Sequence, residues 1–122
     1  VIYTASSKDY AEVMVKKFGI AKYIDRILHR EDCKNTWAGI SKDLSILKVP
    51  LKDIILVDDT LHNSYYQPDN FLLIEAFTGD KSDNHLLTLI PFLKKIYSRD
   101  DVRHVDNQYV AYMKKLKEDQ QE

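Results

Sequence analysis

At 122 residues, the chain is long enough for one domain or part of one. Its 44% hydrophobic and 11% aromatic content is typical of a globular core and argues against a disordered chain. The formal net charge of -1 predicts no strong attraction to nucleic acid, and no apolar run approaches the roughly 20 residues that cross a bilayer. The single cysteine, Cys33, has no internal disulfide partner, which favours a reducing compartment. We expect an intracellular protein, nuclear or cytoplasmic.

The first predicted unit is a strand, a tight turn and a helix. Residues 1–4 are mostly β-branched or aromatic, which favours a strand that is already under way, so we expect further sequence upstream. Ser6 or Ser7 can cap the helix that follows, and Gly19 stands where helices often end. Apolar residues recur at helical spacing between them: Tyr10, Val13, Met14 and Phe18.

The middle of the chain leads to one strongly apolar strand. Residues 26–28 form a weaker candidate strand, and residues 30–39 are polar enough to predict a loop. Residues 41–47 favour a short helix that ends near Pro50. Residues 54–57 are apolar throughout, which is typical of a parallel strand covered on both faces.

The last third predicts one more strand and two helical stretches. Residues 71–74 form the strand, and Ser82 or Asp83 can cap the helix after it. Pro91 falls inside that helical pattern and predicts a kink or a later start. Residues 101–117 form a final amphipathic stretch, which either packs on the domain or binds a partner, followed by a solvated tail.

The alternation of strands and helical patterns predicts an α/β fold, with a mainly parallel sheet flanked by helices. We divide the chain into residues 1–98, which form the α/β domain, and residues 99–122, which form a C-terminal amphipathic helix and polar tail. The second part is a candidate surface for a protein partner.

Two strand ends are candidate binding positions, because ligands of open parallel sheets lie outside the carboxyl ends of the strands. Thr4 and Ser6 follow the first strand, where hydroxyl and backbone N–H groups at a helix start can bind a phosphoryl oxygen. Asp58 and Asp59 end the most apolar strand, and Mg²⁺ would offset the repulsion between these two carboxylates. Lys42 would add a positive charge, as phosphoryl transfer requires.

Each of these residues also has an ordinary structural interpretation. Thr4 suits a strand as a β-branched residue, and Lys42 alone is typical of a solvated surface. Asp59 or Thr60 can simply cap a turn. Cys33 is interpreted as a small, half-buried hydrophobic residue in preference to a catalytic thiol.

Taken together, the chain resembles the C-terminal-domain phosphatases, also called NLI-interacting-factor-like phosphatases, of the haloacid dehalogenase superfamily. The resemblance covers residues 1 to about 97, in the family's order and near its spacing. The matching segments are residues 2–6 with 10–11, 30–33, 41–45, 55–60, 63–65, 67–70 and 89–93.

This resemblance implies a Mg²⁺-dependent protein serine/threonine phosphatase that acts on phosphopeptides. It implies catalytic roles for Thr4, which would hydrogen-bond the phosphoryl group, and for Lys42, which would neutralise its charge. Ser6 and Arg30 would help to bind the phosphoprotein substrate. Asp58 and Asp59 would hold Mg²⁺ directly or through water; many relatives have Asn at the position of Asp59.

One departure from the family is large. Relatives attack phosphate with the first Asp of an Asp-x-Asp-x-Thr motif on an upstream strand, and no Asp-x-Asp sequence occurs in this chain. The resemblance therefore implies a partial Rossmann-like haloacid dehalogenase fold without its first strand, leaving a gap roughly 10 Å wide between the strands of Thr4 and Asp58. An aspartyl-phosphate mechanism is implied for a longer parent protein, and we expect the chain by itself to be inactive. The alternatives are a non-catalytic, pseudophosphatase-like interaction module and, less favoured, a phosphatase of small phosphate esters.

Overall fold

The computed structural model describes residues 1–120 and gives an α/β arrangement of short elements. Within these residues, none of the helices combines the length and apolarity that a bilayer crossing requires. The last two positions of the predicted polar tail lie outside the described residues. In chain order the elements are β1 (Ile2–Tyr3), α1 (Lys8–Lys17), β2 (Ile27–Leu28), β3 (Lys34–Thr36), β4 (Gly39–Ser41), β5 (Leu56–Asp58), β6 (Phe71–Leu73), α2 (His85–Ile96) and α3 (Val105–Gln120).

The predicted strand–turn–helix unit at the start of the chain is confirmed. Strand β1 pairs in parallel with β2, and α1 connects them. The Ser7 side chain caps α1 by accepting a hydrogen bond from the backbone N–H of Tyr10 at 3.3 Å. The predicted apolar face of the helix is wrong, because Tyr10, Val13 and Phe18 are exposed. Ala11 and Val15, one helical turn apart, form the buried face instead. This unit places Thr4 and Ser6 between the end of β1 and the start of α1.

The prediction of a loop over residues 30–39 is wrong. Residues Arg30–Asp32 form a 3₁₀ turn, and β3 and β4 form an antiparallel hairpin. The Thr36 hydroxyl donates to the Gly39 carbonyl at 2.8 Å and accepts from the Ala38 N–H at 3.2 Å, which closes the hairpin turn. Gly39 has a φ of 130°, which other residues rarely adopt. The hairpin leads directly into Lys42.

The apolar residues 54–57 lead into β5, which pairs in parallel with β6. Ile54 is buried, but the next three residues are only half-buried, so the predicted coverage of both faces is wrong for β5. The short helix predicted over residues 41–47 is a 3₁₀ turn, Leu44–Leu47, and Ser41 belongs to β4. Within residues 1–120, two of the three sheets are parallel, and each of the three has two strands.

Helices α2 and α3 build the main core against β6. Helix α2 begins at His85, whose N–H donates to the Asp83 carboxylate at 2.9 Å, and it continues past Pro91, so the alternative of a later start is wrong. The amphipathic C-terminal stretch packs on the domain as α3, and Asp106 accepts a hydrogen bond from the Leu73 N–H at 3.0 Å. The buried residues of this core cluster are Leu72, Leu89, Phe92, Ile96 and Val105.

Candidate functional site

The residues after β1 form a compact polar loop. The hydroxyls of Thr4 and Ser6 lie 2.9 Å apart, and the Ser6 N–H donates to the Thr4 hydroxyl at 3.1 Å. Arg30 holds this loop from the end of β2: its Nε donates to the Ala5 carbonyl at 3.0 Å, and its backbone N–H donates to the Ser6 carbonyl at 2.8 Å. Three predicted site residues, Thr4, Ser6 and Arg30, are thus brought together beside the N-terminus of α1.

A buried ion pair joins two other predicted residues. The Lys42 ammonium donates to Oδ2 of Asp58 at 2.5 Å, and the two side chains are 9% and 8% exposed. Burial of the Asp58 carboxyl raises its pKa, but hydrogen bonds from Lys42 and the Thr60 N–H outweigh burial and leave the pKa below its ordinary value. Asp58 is therefore held as a carboxylate at neutral pH.

The two acidic residues of the strand end have different surroundings. Asp58 also accepts from the Thr60 N–H at 3.0 Å and from the Asn63 amide at 3.1 Å. Asp59 is exposed, and it accepts from the Thr60 hydroxyl at 3.1 Å. Both carboxylates line one cavity of about 530 Å³ at the end of β5. Asp58 is thus fixed in orientation, whereas Asp59 faces solvent.

Tyr3 connects the Thr4 loop with the ion pair. The Lys42 ammonium lies 5.9 Å from the centre of the Tyr3 ring, and the Tyr3 hydroxyl donates to the Asp32 carbonyl at 2.6 Å. Cys33 lies on the same side, with its sulfur 3.8 Å from the Thr4 carbonyl. Burial raises the pKa of the Cys33 thiol, so the interpretation of Cys33 as a half-buried, unreactive residue is supported.

Asp43 braces the backbone next to Lys42. Its buried carboxylate accepts from the ammonium of Lys34, from the Gln67 amide at 2.7 Å and from the Ser45 N–H at 2.9 Å. The Gln67 side chain in turn accepts from the Leu44 N–H at 2.8 Å. Burial acts to raise the pKa of Asp43, but these hydrogen bonds prevail and lower it strongly. This network fixes the turn that presents Lys42 to Asp58.

Sequence reasoning missed Asn63, Asp43, Gln67 and Tyr3 as supports of the site. No spacing rule links Asn63 or Gln67 to the residues that they touch, because those contacts depend on how the segment after β5 folds back. Asp43 could have been found as a capping residue, because it stands beside Lys42 and near the start of a predicted helix.

The acidic pair fits a hard divalent cation in its donor chemistry. Mg²⁺ commonly keeps several waters and takes one or two protein carboxylates together with phosphate oxygens, and Asp58 and Asp59 supply two such groups. Within residues 1–120, no cluster of three His, Cys, Asp or Glu side chains suitable for a metal occurs. Any ion held here therefore depends on these two residues, on water and on donors from elsewhere.

An apolar groove separates β1 from β5. Its volume is about 530 Å³, and it lies between one free edge of each parallel pair. The lining residues are Val1, Ile2, Tyr3, Leu44, Leu47, Val49, Asp53, Ile54, Ile55, Leu56 and Val57. We call it the strand groove.

Backbone peptide groups on both sides of the strand groove face into it. The N–H groups of Ile2 and Thr4 bond to the β2 side, at 3.0 and 2.9 Å, so the alternation of a strand turns the peptide groups of Tyr3 toward the groove. The Asp58 carbonyl accepts a hydrogen bond from the Ile74 N–H at 3.0 Å, on the β6 side of the strand. The peptide groups of the preceding residue, Val57, therefore face the strand groove.

Comparison with known proteins identifies the family. The family model described as NLI interacting factor-like phosphatase matches residues 1–103, which is most of the chain. The chain belongs to the NLI interacting factor-like phosphatase family. The resemblance drawn from the residues is thereby confirmed.

Proteins with different names are similar to this chain. It is 32% identical over 113 residues to CTD small phosphatase-like protein 2 of Dictyostelium discoideum, covering 92% of this chain and 20% of that protein. It is 35% identical over 105 residues to a probable C-terminal domain small phosphatase of the same organism, covering 86% and 34%. It is also 35% identical over 107 residues to the mitochondrial import inner membrane translocase subunit TIM50 of Gibberella zeae, covering 86% and 20%.

The chain thus spans about a fifth to a third of the length of these relatives. Phosphatases and import subunits share the matched region, so family membership alone does not assign a compartment.

Proposed function

We propose that this chain provides the phosphate- and Mg²⁺-binding part of a protein serine/threonine phosphatase domain that acts on phosphopeptides. The observation that carries the proposal is the buried Lys42–Asp58 ion pair at the end of β5, next to the Thr4 loop. A buried pair of this kind costs desolvation energy that an apolar pair would avoid. Its position at the carboxyl end of β5, a strand of a parallel pair, favours a role in binding.

In this proposal the phosphoryl group of the substrate lies between the Thr4 loop and Lys42. The Thr4 and Ser6 hydroxyls donate to its oxygens, and the Lys42 ammonium neutralises its charge. Arg30 is exposed, and its guanidinium has donors beyond the one used by Ala5, so it can hold the phosphate or the peptide carrying it. When phosphate arrives, it competes with Asp58 for Lys42.

Asp58 and Asp59 would hold the Mg²⁺ ion, whose chemistry is to neutralise the phosphoryl oxygens during transfer. The two carboxylates have separate tasks. Asp58 is already oriented by the Thr60 N–H and by Asn63, whereas Asp59 is free to turn toward an ion.

The nucleophile would come from a strand outside residues 1–122 that fills the strand groove. Two apolar edges with inward-facing peptide groups suit one more parallel strand, and its insertion would complete a partial Rossmann-like haloacid dehalogenase fold. Its carboxylate would attack phosphorus and break the bond to the serine or threonine oxygen, which takes a proton from a second Asp. Water would then release phosphate and restore the carboxylate.

The remaining assignments follow from this proposal. Residues 1–98 are the C-terminal part of the phosphatase domain, and residues 99–122, with α3 packed on β6, offer a surface for a protein partner. We place the protein inside the cell, in the nucleus or cytoplasm. The second candidate is a pseudophosphatase-like interaction module, favoured by the lack of any Asp-x-Asp sequence in this chain.

A phosphoserine peptide and Mg²⁺ test the proposal. We expect no phosphate release by the chain alone, and release when an apolar strand ending in Asp-x-Asp-x-Thr precedes residue 1 in the same polypeptide. The matched control carries Asn at the first Asp of that strand and is expected to fold but not to react. Lys42→Met in the active form, assayed where circular dichroism shows that it is folded, should lower the rate by about 100-fold or more.

Turnover by the chain alone would show that the nucleophile lies within residues 1–122. A folded polypeptide that carries the added strand but releases no phosphate would favour the pseudophosphatase instead.

A further inference from the structure

A third cleft lies between α2 and α3, and its charged side chains are all basic. It has a volume of about 290 Å³ and is lined by Phe92, Lys95, Arg99, Gln108, Ala111, Tyr112 and Lys115. We call it the basic cleft. None of its lining residues belongs to the Thr4 loop, to the Lys42–Asp58 pair or to the strand groove.

The three cations of the basic cleft have no acidic partner among residues 1–120. The ion pairs found within residues 1–120 are all formed by cations outside the basic cleft. Arg99 instead donates to the neutral amide oxygen of Gln108, which positions the guanidinium but leaves its charge uncompensated. Three positive charges gathered around one concavity create a local attraction for anions, although the whole chain has a net charge of -1.

The dipole of α2 accounts for only part of this arrangement. Lys94 and Lys95 both stand in the last turn of α2, where cations are stabilised by the helix C-terminus. Only Lys95 lines the cleft, and Lys115 comes from a different helix. The convergence of Lys95, Arg99 and Lys115 therefore arises because α3 packs beside the end of α2 and the segment that follows it.

The floor of the basic cleft is apolar and aromatic. Phe92 is 2% exposed, and its ring lies 5.4 Å from that of Tyr112. The volume lies at the small end of ligand pockets, which run from about 300 to 1,000 Å³. It suits one or two inserted side chains better than a nucleotide. A ligand of matching chemistry has an apolar side chain flanked by carboxylates.

We propose that the basic cleft is a docking site for an acidic peptide segment of a partner protein, which places an apolar side chain against Tyr112, whose ring packs on the buried Phe92, and carboxylates against Lys95, Arg99 and Lys115. This site is separate from the proposed phosphatase centre and does not depend on catalysis. Nucleic acid is disfavoured because the cationic area is small and the rest of the chain is not basic. The docking would bring a partner or substrate to the side of the domain formed by α2 and α3.

Fluorescence anisotropy with a labelled peptide rich in Glu and containing one Leu tests the proposal. We expect binding that weakens as salt is added, and the same peptide with Gln at every Glu is expected to bind at least about tenfold less tightly. The double change Lys95→Glu with Lys115→Glu should weaken binding of the acidic peptide by about tenfold or more.

The matched control is Lys94→Glu with Lys114→Glu, which changes net charge equally at lysines that do not line the cleft. It is expected to change affinity by less than about twofold. Circular dichroism checks that each variant folds. If the charge-reversed variant Lys95→Glu with Lys115→Glu does not fold, the neutral variant Lys95→Gln with Lys115→Gln is tested in its place.

Three results would overturn the proposal. Equal weakening by both double variants would mean that net charge alone attracts the peptide. A single-stranded oligonucleotide that binds as tightly, with the same dependence on Lys95 and Lys115, would assign the cleft to nucleic acid. Self-association that is lost in the cleft variant, without peptide binding, would assign it to a second copy of this chain.

Discussion

The Lys42 ammonium lies 2.5 Å from Oδ2 of Asp58, and this pair joins the turn after β4 to the end of β5. Both side chains are less than one-tenth exposed, so each charge depends on the other for compensation. Burial alone would raise the pKa of Asp58, yet the hydrogen bonds from Lys42 and Thr60 keep the pKa low. The pair therefore holds two segments together and keeps a carboxylate ready at the end of a strand.

Removing one partner of this pair should be costly. We expect Lys42→Met to lower the free energy of unfolding by about 3–5 kcal/mol, because it leaves the Asp58 carboxylate buried without its cation. The matched control is Lys52→Met at an exposed lysine that lies 3.5 Å from Asp53, where the loss should be below about 1 kcal/mol. Urea unfolding followed by circular dichroism measures both, and equal losses would contradict the account of the pair.

Acid should weaken the fold through Asp43 and Asp58. Each has a pKa that is lower in the folded chain than in the unfolded chain, so its contribution is fully present above the unfolded pKa of about 3.9 and is lost as pH falls through the folded value. We expect stability to fall as pH drops below about 4. Asp43→Asn should be less stable at neutral pH by about 1–3 kcal/mol and should show a flatter decline in acid.

The control for this pH dependence is Asp25→Asn, at an exposed aspartate outside the braced turn. Thermal unfolding from neutral to acidic pH compares the three proteins. A profile of Asp43→Asn that is parallel to the wild type throughout would show that Asp43 does not carry the acid sensitivity.

The attachment of α3 depends in part on Asp106, which accepts a hydrogen bond from the Leu73 N–H on the outer edge of β6. Asp106→Ala leaves that N–H without its partner and should cost about 1 kcal/mol. Asn107→Ala, at the exposed neighbouring position, should cost less. Hydrogen exchange at the Leu73 amide reports the bond itself, and unchanged protection in Asp106→Ala would contradict this role.

The sequence predicted those helices and strands that are marked by a pattern of neighbouring residues. The spacing of apolar residues located α1, although the buried face of that helix is formed by Ala11 and Val15. The apolar run of residues 54–57 placed Asp58 at a strand end, because such a run is typical of a strand in a parallel sheet. Thr4 was placed correctly at the end of β1 for the same reason.

Other features depend on contacts between distant segments, which a local pattern does not reveal. The hairpin of β3 and β4 was missed because Lys34, Asn35 and Thr36 are polar, and its stability comes from the Thr36 turn and from contacts with the segment after β5. The direct bond between Lys42 and Asp58 was likewise not predicted, although both were singled out. Strand preference is set largely by such surroundings.

The central claim is that the strand groove between β1 and β5 accepts a strand that supplies the nucleophile. Hydrogen exchange measured by nuclear magnetic resonance, with and without a peptide of one apolar strand ending in Asp-x-Asp-x-Thr, tests it most directly. The account predicts that the amides of Tyr3 and Val57 become protected when the peptide is added, while the Leu73 amide keeps its rate. Unchanged exchange at Tyr3 and Val57 with the peptide in excess would contradict it.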